Sequence, residues 1–185
     1  MNVTGTNITS TDGKVNITAK ENTTIENSNI SGNQGVTINS TNGTTTINAS
    51  NVSSSNGSIE VAGNQGVNLN NGTNLTAKEN VDVTSPNGSV NVTGTNITST
   101  DGKVNITAKE NTTIENSNIS GNQGVTINST NGITTINASN VSSGNGSIAI
   151  SGNQGVNIGN GTNLTAKNDV DITSPNGSIN VTGTN

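Results

Sequence analysis

Short apolar–polar–apolar triplets recur along the whole chain. Residues 15–17 (Val-Asn-Ile) are followed by 36–38, 59–61, 81–83 and 104–106, each with an apolar residue on either side of a polar one. That alternation has the period of a strand with one buried face. A second apolar column runs through Ile25, Ile47, Leu69, Val92, Ile114, Ile136 and Ile158. A third follows from the dipeptide Asn-Ile/Val/Leu at Asn7, Asn29, Asn51, Asn74, Asn96, Asn118, Asn140 and Asn163, and Asn185 opens a ninth interval. Turn residues separate the pieces, as at Asp12-Gly13, Gln34-Gly35, Asn56-Gly57, Asn87-Gly88 and Asp101-Gly102. β-Branched residues dominate, and Asn and Gly interrupt every few positions, so helix is not expected.

The Asn intervals are 22, 22, 23, 22, 22, 22, 23 and 22 residues, and four of them make an 89-residue unit. Residues 2–90 and 91–179 are two copies of it, and 180–185 begin a third. Constant coil length with three strands per coil predicts an all-β fold, a parallel β-solenoid (β-helix) filling residues 1–185 as one segment. About eight coils stacked at ~4.8 Å give a rod ~40 Å long. The general preference of parallel crossovers predicts a right-handed one. The single extra residue of the 23-residue intervals falls in Asn70–Asn74 (NNGTN) and Gly159–Asn163 (GNGTN). It is expected to form a small bulge at one corner every fourth coil, since a turn tolerates an insertion better than a ladder does.

Composition alone argues the other way. Apolar residues are 25% of the chain and aromatic residues are absent, which is close to the range of disordered segments. The periodicity overrides that reading. Differences between the copies agree with it: Val61, Leu69, Val83 and Val90 become Ile150, Ile158, Ile172 and Ile179, all at positions assigned inward. Glu60→Ala149, Ser55→Gly144 and Asn70→Gly159 fall at positions assigned outward or to turns. Val15, Ile17, Ala19, Ile25 and Ile30 form the expected core of one coil. Within the run Thr44–Ile47, Ile47 is assigned inward and Thr45 outward. So thin a core needs help from inter-coil backbone hydrogen bonds and stacked polar side chains, and the Asn column is the expected ladder. Its members also read Asn-x-Ser/Thr, a glycosylation sequon that this composition produces readily by chance.

Net charge is −5, which suggests no nucleic-acid partner. No apolar run is long enough for a membrane span, and no signal peptide follows Met1. Cys is absent, so there is no disulfide or thiolate metal site. Lys20, Glu21 and Glu26 face uncharged residues in the next three coils and return at Lys109, Glu110 and Glu115. Like charges are thereby ~19 Å apart, beyond a Debye length of ~8 Å. Glu60 beside Asp82 is the exception, a tolerated surface clash or a weak cation site.

Without His or Cys no nucleophile–base pair can be assembled, so no enzyme activity and no cofactor are expected. The dispersed acids and the lack of aromatic residues weigh against polysaccharide cleavage, a remote alternative. The calcium-binding nonapeptide of other β-rolls is absent. SPNGS, at Ser85–Ser89 and Ser174–Ser178, reads as a Pro-initiated turn.

The stretch GKVNITAKENTTIENSNISGNQGVTINSTNG, Gly13–Gly43, resembles the repeats of filamentous-haemagglutinin-type exoproteins. These are two-partner-secreted bacterial adhesins and the sticks of contact-dependent inhibition toxins. The resemblance covers nearly the whole chain through the pattern G-x-V-x-I-x-A. It implies a right-handed β-helix, an extracellular place at the bacterial cell surface, and a host or bacterial surface receptor. The expected function is a structural shaft of an adhesin or filament, presenting repeated faces for attachment or biofilm. The alternative is an ice-binding solenoid: Thr24, Thr46, Thr113 and Thr135 form partial columns, interrupted by Asn68 and Asn157. The hexapeptide NVTGTN follows Met1 and also closes the chain. An interior piece of a longer repeat protein is therefore expected, or a segment that self-associates end to end.

Overall fold

The computed structural model describes residues 1–183. Its strands form three parallel sheets, and among the described residues there is no helix. The chain visits the sheets in a fixed order, here called A, B and C, so that each coil contributes one strand to each. Sheet A has nine strands, from Asn2–Thr4 to Ser178–Val181. Sheet B has eight, from Asn7–Ser10 to Asn163–Ala166, and sheet C has eight, from Lys14–Ala19 to Val170–Thr173. The fold is a β-solenoid of about eight turns. We number its coils from the Asn that opens each strand of sheet B, so that coil 1 begins at Asn7 and coil 8 at Asn163.

Register follows the apolar columns. Val15 pairs with Val36 and Ile17 with Ile38 in sheet C, and Ile25 pairs with Ile47 in sheet A. In sheet B, Leu75 lies between Val52 and Ile97. Every inward residue thus meets its counterpart one coil above and below, and the core is a continuous column of Ile, Val and Leu from Val15 to Ile158. Strand alternation delivers these residues to one side because successive side chains leave opposite faces. The copy differences respect this arrangement, as Val61, Leu69, Ile150 and Ile158 are all buried while Glu60 and Ala149 are exposed.

The corner between sheets A and B turns sharply in every described coil, and each time one residue adopts a left-handed conformation. Asn27 (φ 48°), Ala49 (46°), Asn116 (50°) and Ala138 (47°) do so without being glycine, while Gly5, Gly94 and Gly183 take the same role. In coils 3 and 7 the extra residue lies in this corner: the turn Asn70–Thr73 uses Gly72 at φ 80°, and Gly161 at 72° repeats it. Thr73 N donates to Asn70 O at 3.1 Å across the turn. The insertion leaves the strands intact.

The outward assignment of Thr45 needs correction. Thr45 is fully buried, and Thr44 and Thr46 flank it on the outer face. It pairs with Thr23 on one side and Val67 on the other, so it belongs to an interior column. Its hydroxyl donates to Ala62 O at 2.6 Å and lies 2.9 Å from Ser40 Oγ, which itself donates to Thr23 Oγ1 at 2.9 Å. Burial is tolerated because the hydroxyl is satisfied inside.

Candidate functional site

Sheet B carries the most regular surface of the molecule. Its strands read Asn-x-Ser/Thr, with the middle residue inward and the outer two on the solvent side. The Asn column and the Ser/Thr column (Thr9, Ser31, Ser53, Thr76, Thr98, Ser120, Ser142, Thr165) both run through all eight coils without interruption. Neither column contains a charged residue. Two columns ~6.6 Å apart, repeating every ~4.8 Å, make a flat polar lattice.

The Asn side chains are bonded to each other. Asn29 Nδ2 donates to Asn7 Oδ1 at 2.9 Å, Asn51 to Asn29 at 3.0 Å and Asn74 to Asn51 at 2.8 Å. The series continues from Asn96 to Asn74 at 2.8 Å, Asn118 to Asn96 at 2.9 Å and Asn140 to Asn118 at 2.9 Å. Asn163 follows in backbone register with Asn140, and Asn185 lies outside the described residues. Each interior amide donates one N–H and accepts one along the axis, so its second N–H and second lone pair remain for the solvent side. The sequon pattern has a geometric origin here, since ladder, core and outer hydroxyl occupy three consecutive strand positions.

Directly behind the ladder lies a second polar column. The residue before each ladder Asn is Ser or Thr, and Ser28, Ser50, Thr73, Thr95, Ser117, Ser139 and Thr162 are buried. Ser28 Oγ donates to Glu26 O at 2.7 Å and accepts from Thr6 N at 3.1 Å. Ser28 N donates to Ser50 Oγ at 3.0 Å, and Ser117 N to Ser139 Oγ at 3.1 Å. These hydroxyls serve backbone groups that the left-handed corner turns out of the ladder. The signal was present in the sequence as the invariant Ser/Thr before Asn.

The threonines of sheet A stand in one outward column with asparagines. It reads Thr24, Thr46, Asn68, Asn91, Thr113, Thr135, Asn157 and Asn180, so pairs of Thr alternate with pairs of Asn. Asn91 Nδ2 donates to Asn68 Oδ1 and Asn180 Nδ2 to Asn157 Oδ1, both at 2.9 Å. As a regular array it is inferior to sheet B.

Glu60 and Asp82 are register partners on the outer face of sheet C. Asp82 Oδ1 accepts from Asn105 Nδ2 at 2.7 Å, so the next coil already uses one of its oxygens. Among the described residues no group of three or more acidic, His or Cys side chains is placed to hold a metal ion. No protein-family model matches the chain, and no curated protein or solved structure shows significant similarity to it.

Proposed function

We propose that this chain is a length of shaft from an extracellular bacterial surface protein, an adhesin or filament whose repeated faces serve attachment or biofilm. Its resemblance to filamentous-haemagglutinin-type repeats supports this reading, and we take the solenoid as right-handed by the general preference of parallel crossovers. The observation that carries it is the boundary between the two units. Asn96 of the second unit donates to Asn74 of the first at 2.8 Å, and Val92 pairs with Leu69 and Ile114 alike. Unit meets unit through the same contacts that join coils within a unit, so length can be added without limit and without a new interface. The partner is accordingly a further unit, in the same chain or another copy, with a cell-surface receptor reached by the shaft. Electron microscopy of chains with two, four and six units tests this. Rods whose length grows by ~19 Å per unit support it, and compact or branched particles would refute it.

A second reading, ice binding, is favoured by one observation: the uninterrupted, uncharged lattice of sheet B. Ordered water could be organised against two columns held rigid by the Asn ladder. Thermal hysteresis in a freezing solution of the chain measures it, and a variant carrying Lys at Ser53 and Ser120 should abolish any that appears.

A further inference from the structure

Eight asparagines are followed directly by glycine. Such a pair can react with itself, because glycine has no side chain to shield its backbone nitrogen from the preceding amide. The corners of the solenoid divide the eight into different surroundings. Asn71 and Asn160 lie between sheets A and B, and Asn56 and Asn145 between sheets B and C. Asn42, Asn87, Asn131 and Asn176 lie between sheets C and A.

At the first two corners the glycine nitrogen is held. Gly57 N donates to Ser54 Oγ and Gly146 N to Ser143 Oγ, both at 3.1 Å. Gly72 N donates to Gly94 O at 3.1 Å, and Gly161 N to Gly183 O at 3.2 Å. The corner from sheet C to sheet A is built differently. Among the described residues, the N–H groups of Gly43, Gly88 and Gly132 meet no acceptor. The serine three residues earlier, which holds the nitrogen of Gly57 and Gly146, is turned inward here. Ser40 Oγ donates to Thr23 Oγ1 and Ser129 Oγ to Thr112 Oγ1, both at 2.9 Å. The Asn42 and Asn131 side chains are likewise without hydrogen bonds among the described residues, whereas Asn87 Nδ2 donates to Asn64 Oδ1 at 2.8 Å. Asn42, Asn56, Asn131 and Asn145 are all exposed and their glycines all buried, so access to solvent does not separate them.

We propose that Asn42 and Asn131, one in each unit, are sites of spontaneous deamidation, and that Ser54 and Ser143 protect the equivalent pairs at the neighbouring corner. The Gly43 nitrogen gives its proton to hydroxide and bonds to Asn42 Cγ. The Cγ–Nδ2 bond breaks, ammonia leaves, and a five-membered succinimide remains. Water then adds to one of its two carbonyl carbons and opens that carbon's bond to the Gly43 nitrogen. The product is aspartate, or isoaspartate with the main chain routed through Cγ. A hydrogen bond on the glycine N–H must be given up before the nitrogen can attack, and only the pairs at the corner from sheet C to sheet A have none to lose. Asn42 N donates to Lys20 O at 2.7 Å and Asn131 N to Lys109 O at 2.8 Å, so the two asparagines follow Glu21 and Glu110 in the corner column. Each conversion therefore sets a carboxylate one coil from a carboxylate, which the unmodified chain avoids in this column. The inference does not depend on the shaft reading.

The test keeps the whole folded chain in mildly alkaline buffer and follows each site by peptide mass spectrometry, which reads the change from amide to acid. Methylation specific for isoaspartate identifies the rerouted product. Asn42 and Asn131 should convert about fivefold faster than Asn56 and Asn145, the factor that one hydrogen bond of ordinary net strength contributes to a rate. In the denatured chain the rates should converge, since every site is then only Asn-Gly. Ser54→Ala frees the Gly57 N–H and should bring Asn56 to the rate of Asn42 while Asn145 stays slow. Ser54→Thr keeps the hydroxyl and should leave Asn56 slow. Circular dichroism checks that each variant is folded. Equal rates at Asn42 and Asn56 in the folded chain would overturn the proposal. So would a folded chain inert at Asn42 and Asn131 while the denatured chain reacts, or a folded Ser54→Ala chain whose Asn56 remains slow.

Discussion

Thr45 Oγ1 lies 2.9 Å from Ser40 Oγ inside the coil, whereas Ser85, two coils on in the same interior column as Ser40, has no hydrogen-bond partner. The difference lies in their neighbours. Ser40 stands between Thr23 and Thr45, but the corresponding positions of that sheet A column beside Ser85 are Val67 and Val90. Thr45→Val should therefore cost about 1–2 kcal/mol, because it strips a buried partner from both Ser40 and the Ala62 carbonyl. Ser85→Ala should be neutral or stabilising by up to ~1 kcal/mol, since it removes an unsatisfied hydroxyl. Denaturant midpoints of the two variants should move in opposite directions or by clearly unequal amounts.

The inside and outside of one strand can be compared at adjacent positions. Ile47 is fully buried, and Thr46 next to it faces solvent. Ile47→Asn should lose roughly 3 kcal/mol or more through lost burial and an amide with no partner. Thr46→Ala should change stability by less than ~0.5 kcal/mol, as surface changes usually do. Equal unfolding midpoints would contradict the register.

Position along the ladder should be measurable. Asn74 is bonded on both sides, to Asn51 and Asn96, while Asn7 has only Asn29 as a ladder partner. Asn74→Ala is expected to cost about 1 kcal/mol, and more than Asn7→Ala. A double-mutant cycle of Asn74 with Asn96 should show coupling, and one of Asn74 with Asn140, which share no hydrogen bond, should not.

Two glycines separate steric demand from conformational demand. A Cβ on Gly72 would meet only Ala49, at 3.5 Å, so its cost comes from φ 80° alone. At Gly63 a Cβ would collide with the backbone carbonyl of Gly66. Gly72→Ala should cost ~1–2 kcal/mol, and Gly63→Ala distinctly more because backbone must move. Thermal unfolding of the pair ranks them, and the reverse order would mean that the turn at Gly63 relaxes easily.

Period is what this sequence determined by itself. Alternation assigns faces within a strand, and the 22-residue return of Asn-Ile/Val/Leu assigns neighbours between strands, so coil number, sheet count and core are legible in one dimension. The extra residue at Asn70–Asn74 was legible for the same reason, because an interrupted column shows where the chain is longer. Thr45 was misplaced although Ile47, two residues on, shares its face. Its hydroxyl looks like a surface group until Ser40 and the Ala62 carbonyl are seen beside it. Tertiary structure alone decided such matters. Gly-Asn-Gln-Gly turns the chain from sheet B to sheet C at Gly32–Gly35, yet from sheet C to sheet A at Gly63–Gly66. Four identical residues carry no record of which corner they occupy, because in a solenoid a segment's surroundings are supplied by the coils above and below it. The meeting of Lys78 with Asp101, whose N–H donates to the Lys78 carbonyl, and the burial of Ser28 behind its Asn ladder belong to the same class, being contacts between residues more than 20 positions apart.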